Sequence, residues 1–104
     1  MRFITIQIPI FDTGETPEAK VEKMKEELDE LLDEFCHGPV NKKTALSEMF
    51  DVVQVMHGFI QAEVKNLLVG DDIQTYVERC FKKGNDAHIE KMTIRSAERG
   101  WEVP

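Results

Sequence analysis

Four acids stand at spacings that can do chemistry: Glu27 and Glu30 form one pair, Glu48 and Asp51 a second, each pair three residues apart. Residues three apart on a helix are surface neighbours, so each pair makes a two-toothed oxygen clamp wherever its segment is helical. Two clamps facing each other from antiparallel helices bring four carboxylates into one space, where they repel unless a hard cation lies between them. Magnesium is the natural ion and manganese the alternative, because both favour oxygen ligands. A chain with 20 Asp and Glu residues produces an ExxE on an exposed helix flank readily by chance. Glu48 and Asp51 weigh more, since acids on a mainly apolar helix cost free energy unless they are paired or bind metal.

The elements that must carry these acids are helices. Thr16-Pro17 reads as a helix start, with the hydroxyl as N-cap and proline at the first helical position, and Gly38-Pro39 reads as a stop. A first helix is expected over roughly 17–36, with Val21, Met24, Leu28, Leu31, Leu32 and Phe35 on one stripe and Glu27, Glu30 and Glu34 on its flank. A second run begins near Asn41 or Thr44 and ends at Gly70. Its main face carries Leu46, Met49, Phe50, Val53, Ile60, Val64 and Leu67, and Val52, Val55 and Phe59 widen the apolar surface. A helix apolar on most sides belongs at the centre of a bundle. Glu48 and Asp51 project from the same side as Val52, Val55 and Phe59, and so lie near buried surface.

Asp71 or Asp72 caps a third helix, in which Ile73, Tyr76, Val77, Cys80 and Phe81 follow amphipathic spacing. Gly84-Asn85-Asp86 is expected to interrupt or kink it, and a last helical piece over about 87–98 ends at Gly100. At the other end, Ile4, Ile6, Ile8 and Ile10 alternate with Thr5, Gln7 and Pro9, which makes residues 3–11 strand-like, with Pro9 confining them to an edge. No second strand pattern exists to pair with. This arm, taken as residues 1–14, therefore lies along the bundle or pairs with the same arm of another subunit, the second being favoured. The expected fold class is all-α: one domain over residues 1–104, a small antiparallel helical bundle with a short extended N-terminal arm, assembling as a homodimer or homotetramer.

Composition bounds the function. The chain has 104 residues, 41% hydrophobic and 32% charged, which suits one modest core rather than a disordered polymer. A formal net charge of -7 opposes approach to a nucleic-acid backbone. Mononucleotides stay open, because divalent metals invert the local charge. Cys36 and Cys80 form no CxxC pair and read as reduced structural thiols, which favours a cytoplasmic setting. The opening MRFITIQIPIF is too short and interrupted for a signal-peptide core, and no stretch approaches about 20 apolar residues, so neither secretion nor a membrane span is expected.

Lys91 and Arg95 are an i, i+4 pair with His88 a turn earlier, so the three can meet one polyphosphate or simply form a solvated basic face. Glu34 and His37 spell a single ExxH, whereas a di-iron bundle needs two, and neither His57 nor His88 has a glutamate three residues before it. Trp101 and Tyr76 suit stacking on a base or capping a core.

Glu26-Glu27-Leu28-Asp29-Glu30 reads EExxE, and Glu48-Met49-Phe50-Asp51 reads ExxD after seventeen intervening residues. Over roughly residues 17–99 this resembles the MazG-type nucleotide pyrophosphohydrolases, in the all-alpha superfamily that also holds dimeric dUTPases. The resemblance implies that Glu27, Glu30, Glu48 and Asp51 hold magnesium, while the helical wheel turns Glu26 away. The sequence Lys91-Met92-Thr93-Ile94-Arg95, followed by Arg99-Gly100-Trp101, is similar to the family's basic ending. The inserted Ser96-Ala97-Glu98 leaves the choice between Arg95 and Arg99 open. The implied reaction is magnesium-dependent hydrolysis of nucleoside triphosphates, deoxynucleotides foremost, to the monophosphate and pyrophosphate. In it Glu27 or Glu30 also accepts the proton of the attacking water, and Lys91 and Arg95 offset charge on the phosphates. Two rivals stand beside it: a non-catalytic helical interaction or regulatory module with no magnesium response, and a dUTPase-like enzyme of the same superfamily.

Overall fold

The computed structural model describes residues 1–37, 43–67 and 72–104. They form three helices, α1 (Pro17–His37), α2 (Lys43–Leu67) and α3 (Ile73–Arg99), and no strand occurs among the described residues. The chain is all-α. The expected stops and starts at Gly38-Pro39, Asn41, Gly70 and Asp71 lie outside the described residues.

α1 begins as its sequence directs. The amide of Ala19 donates to Thr16 Oγ1 at 3.2 Å, so Thr16 is the N-cap and Pro17, with no N–H to satisfy, takes the first helical position. α1 packs against α2. Lys20 lies against Gly58, while Glu27 lies near Glu48 and Asp51, so the two helices run in opposite senses. At Gly58 the approach is close: a β-carbon there would sit 3.1 Å from Lys20 Cε, the far end of a flexible side chain. The buried positions of α1 are Pro17, Lys20 and Glu27, and those of α2 include Ala45, Val55 and Ala62. The stripes expected to be covered are only partly so. Val21, Leu28 and Leu32 on α1 and Leu46, Met49 and Phe50 on α2 stay exposed. Besides Val55 and Val64, the buried positions of the pair are small residues and polar side chains, Lys20, Glu27, His57 and Gln61 among them.

α3 corrects the expectation of a break. It runs unbroken through Gly84-Asn85-Asp86 to Arg99. Glycine and asparagine cost a helix about 1 kcal/mol or less each and, unlike proline, leave its hydrogen bonds in place. Lys82 Nζ also bridges this stretch to Asp86 Oδ2 at 2.9 Å, one turn on. The true stop is Gly100, at φ +66°, where the amide of Trp101 donates back to the Ser96 carbonyl at 3.0 Å in a Schellman cap.

By contacts the chain groups into two compact units, residues 8–73 and residues 1–7 with 74–104. The N-terminal arm forms no ladder. Within the first unit its inner part lies along α2, where Gln54 Nε2 donates to the Pro9 carbonyl at 2.6 Å and Lys65 pairs with Asp12. Pro9 has no N–H to give a strand partner, but its carbonyl remains free to accept. For this segment, contact with the chain's own helix is what the structure displays.

Candidate metal centre

The hairpin of α1 and α2 gathers three of the four expected acids. Glu27, Glu48 and Asp51 each offer a carboxylate oxygen within 4.8 Å of the others, a spacing that one cation can bridge. Helical periodicity produces this directly: Glu48 and Asp51 are a turn apart on α2, and the opposite run of α1 brings Glu27 across from them. Glu27 is buried, with 8% of its surface exposed, Glu48 is half-buried and Asp51 is open to solvent.

Two of the oxygens are in unusual positions. Oε2 of Glu27 and Oε2 of Glu48 are both out of contact with solvent and accept no hydrogen bond. A buried carboxylate oxygen without a partner carries the full cost of its lost hydration. Burial, and after it the negative charges of Glu30, Asp51, Glu27 and Glu34, hold the Glu48 carboxyl above the ordinary glutamate range. A divalent cation would relieve both conditions at once, by supplying a partner to the orphaned oxygens and by screening the charges from one another.

Glu30 stands apart. It is exposed and is not one of the three clustered acids, although it contributes more than any other charge to the shift of Glu48. Glu26 points outward, as the helical wheel requires, with its side chain 65% exposed. Two residues without an assigned role also bear on the site. Glu34 raises Glu48 from further along α1, in line with its place on the flank of Glu27 and Glu30. Lys23 places Nζ 3.1 Å from Glu27 Oε1, and that hydrogen bond and charge hold the ammonium above its ordinary range. The signal was present in the sequence as an i, i+4 Lys-Glu pair.

The proposed phosphate ligands Lys91 and Arg95 lie one turn apart on α3, beside an open groove that Glu90, Ile94 and Glu98 also line. Arg99 is engaged elsewhere, its guanidinium 5.3 Å from the centre of the Trp101 ring. His37 pairs with Asp33 at 3.1 Å rather than with Glu34. Both cysteines are free thiols. No helix among the described residues is long and apolar enough to cross a membrane. No protein-family model, no curated protein and no solved structure matches the chain.

Proposed function

We propose that this protein is a metal-dependent nucleoside triphosphate pyrophosphohydrolase of the MazG type, with Glu27, Glu48 and Asp51 as the core of a magnesium or manganese site. The observation that carries the reading is the convergence of three carboxylates from two helices with two buried oxygens, Glu27 Oε2 and Glu48 Oε2, left without hydrogen bonds. An all-oxygen donor set of this charge suits a hard divalent ion. Bound there, the ion would supply Lewis-acid polarisation of a phosphate and a lowered pKa for water. Glu30 completes the ligand set or, as the exposed acid beside the cluster, takes the proton of the attacking water. Glu27 is the other candidate for that proton, but its carboxylate is already tied to Lys23. Lys91 and Arg95 carry the phosphate-binding role that the resemblance implies.

Deoxynucleoside triphosphates are the proposed substrates, and monophosphate and pyrophosphate the products. A nucleotide panel with magnesium, scored for pyrophosphate release, tests this: orthophosphate release would mean a different phosphatase chemistry, and no turnover would favour the non-catalytic interaction module. Turnover confined to dUTP would favour the dUTPase-like reading. A homodimer or homotetramer forms part of the proposal, supported by Leu32 at 51% and Leu46 at 45% exposed. A monomeric mass at micromolar concentration would count against it. The free cysteines accord with a cytoplasmic, reducing location, and the acidic net charge with a partner that is a mononucleotide rather than a nucleic-acid polymer.

A further inference from the structure

We propose that Lys23 is an internal competitor for the divalent cation at Glu27, with Glu26 as the partner it keeps when the ion binds, so that metal affinity is tuned by one lysine shared between two neighbouring glutamates. The inference rests on the metal reading above and goes beyond it by naming a residue outside the acid set that regulates occupancy.

Lys23 precedes Glu26 by three residues and Glu27 by four, so both carboxylates stand above it on the same helix surface. Its Nζ lies 3.1 Å from Glu27 Oε1 and 3.6 Å from Glu26 Oε2. The two seats differ in character. The Glu27 side chain is nine-tenths buried and its second oxygen accepts no hydrogen bond, whereas the Glu26 side chain is 65% exposed and well hydrated. Pairing with Glu27 therefore neutralises the carboxylate that most needs a partner. A dication drawn to the same carboxylate carries twice the charge and repels an ammonium at this distance. The lysine tail is itself half-exposed and already bridges both carboxylates, so giving up Glu27 while keeping Glu26 asks only for a small side-chain adjustment.

A monovalent ammonium cannot serve Glu27, Glu48 and Asp51 together, so the dication prevails, but its apparent affinity is lowered by whatever the Lys23–Glu27 pair contributes. The partial exposure of Lys23 makes that the contribution of an ordinary surface ion pair, equivalent to about a two- to five-fold change in dissociation constant. Lys25 is a suitable control. It belongs to the same helix and carries the same charge, but it pairs with Glu22 at 3.1 Å.

The test is calorimetric titration of Mn2+ into wild type, Lys23→Gln, Lys23→Arg and Lys25→Gln, without nucleotide. Lys23→Gln is expected to bind Mn2+ about two- to five-fold more tightly than wild type, with Lys23→Arg and Lys25→Gln close to wild type. Wild type binding Mn2+ while Lys23→Gln binds it equally or more weakly would overturn the competition and leave the metal site intact. Equal tightening in Lys23→Gln and Lys25→Gln would reduce the effect to net charge and overturn it too. Failure of wild type to bind Mn2+ would overturn the metal reading itself, and the competition with it.

Discussion

Lys20 crosses α2 at Gly58, its Cε 3.1 Å from the point a β-carbon of residue 58 would occupy. This contact marks the register in which α1 and α2 face each other, and two turns further along the same register brings Glu27 opposite Asp51. The closest atoms to the missing β-carbon are the far end of a flexible side chain. Gly58→Ala is therefore expected to displace Lys20 by a few tenths of an ångström and to gain up to about 1 kcal/mol of helix propensity. Gly58→Val overfills the seam and is expected to cost about 1–3 kcal/mol. Urea denaturation of the two variants against wild type measures both. A valine variant as stable as wild type would show that this contact does not hold the register.

Gly84 offers the opposite case. It sits inside α3 with nothing within 4 Å of a built β-carbon, and its backbone is helical. Gly84→Ala should raise stability by about 0.5–1 kcal/mol through reduced freedom of the unfolded chain, seen as a higher midpoint of thermal unfolding. Loss of stability would mean that the helix does break at this glycine in solution.

His57 gives stability a pH dependence. It is buried, and the loss of hydration that burial imposes on its charged form holds the imidazole below the ordinary range. The unfolded chain therefore takes up the proton more readily than the folded one. The folded state keeps its full stability above about pH 6.5 and loses it progressively as the pH falls from there through the depressed folded value. In the same window His57→Gln, which cannot titrate, should lose less. Denaturation midpoints at pH 7.5 and pH 5.5 for both proteins decide the matter, and parallel losses would clear His57 of any part in it.

The acid cluster was legible in the sequence because it depends only on helical periodicity: Glu48 and Asp51 had to share a side of α2 with Val55, and Val55 is indeed buried. The N-cap at Thr16 was legible for the same local reason. What the pattern did not yield is tertiary. Apolar spacing alone does not say which members of the stripe around Leu28 and Leu46 are covered, nor that Lys20 is buried along its stem against a glycine. The uninterrupted course of α3 is not legible because Gly84-Asn85 reads as a stop, whereas two weak helix formers without a proline or a terminal cap leave the helix intact. Glu30 falls outside the group of three although its charge acts on Glu48 across to α2, because position on a flank fixes direction around the helix but not which oxygens converge.

The central claim, that the cluster is a metal site, is tested most directly by thermal melts of wild type and Asp51→Asn with and without magnesium. The substitution removes one charge from the carboxylate group while nearly preserving its volume. Without magnesium the variant should be as stable as wild type or more so, because it relieves repulsion on Glu48. With magnesium, wild type should rise in melting temperature by mass action, by the equivalent of about 2.7 kcal/mol at one hundred times the dissociation constant, and the variant far less. An equal magnesium shift in the two proteins, or none in wild type, would contradict the metal site.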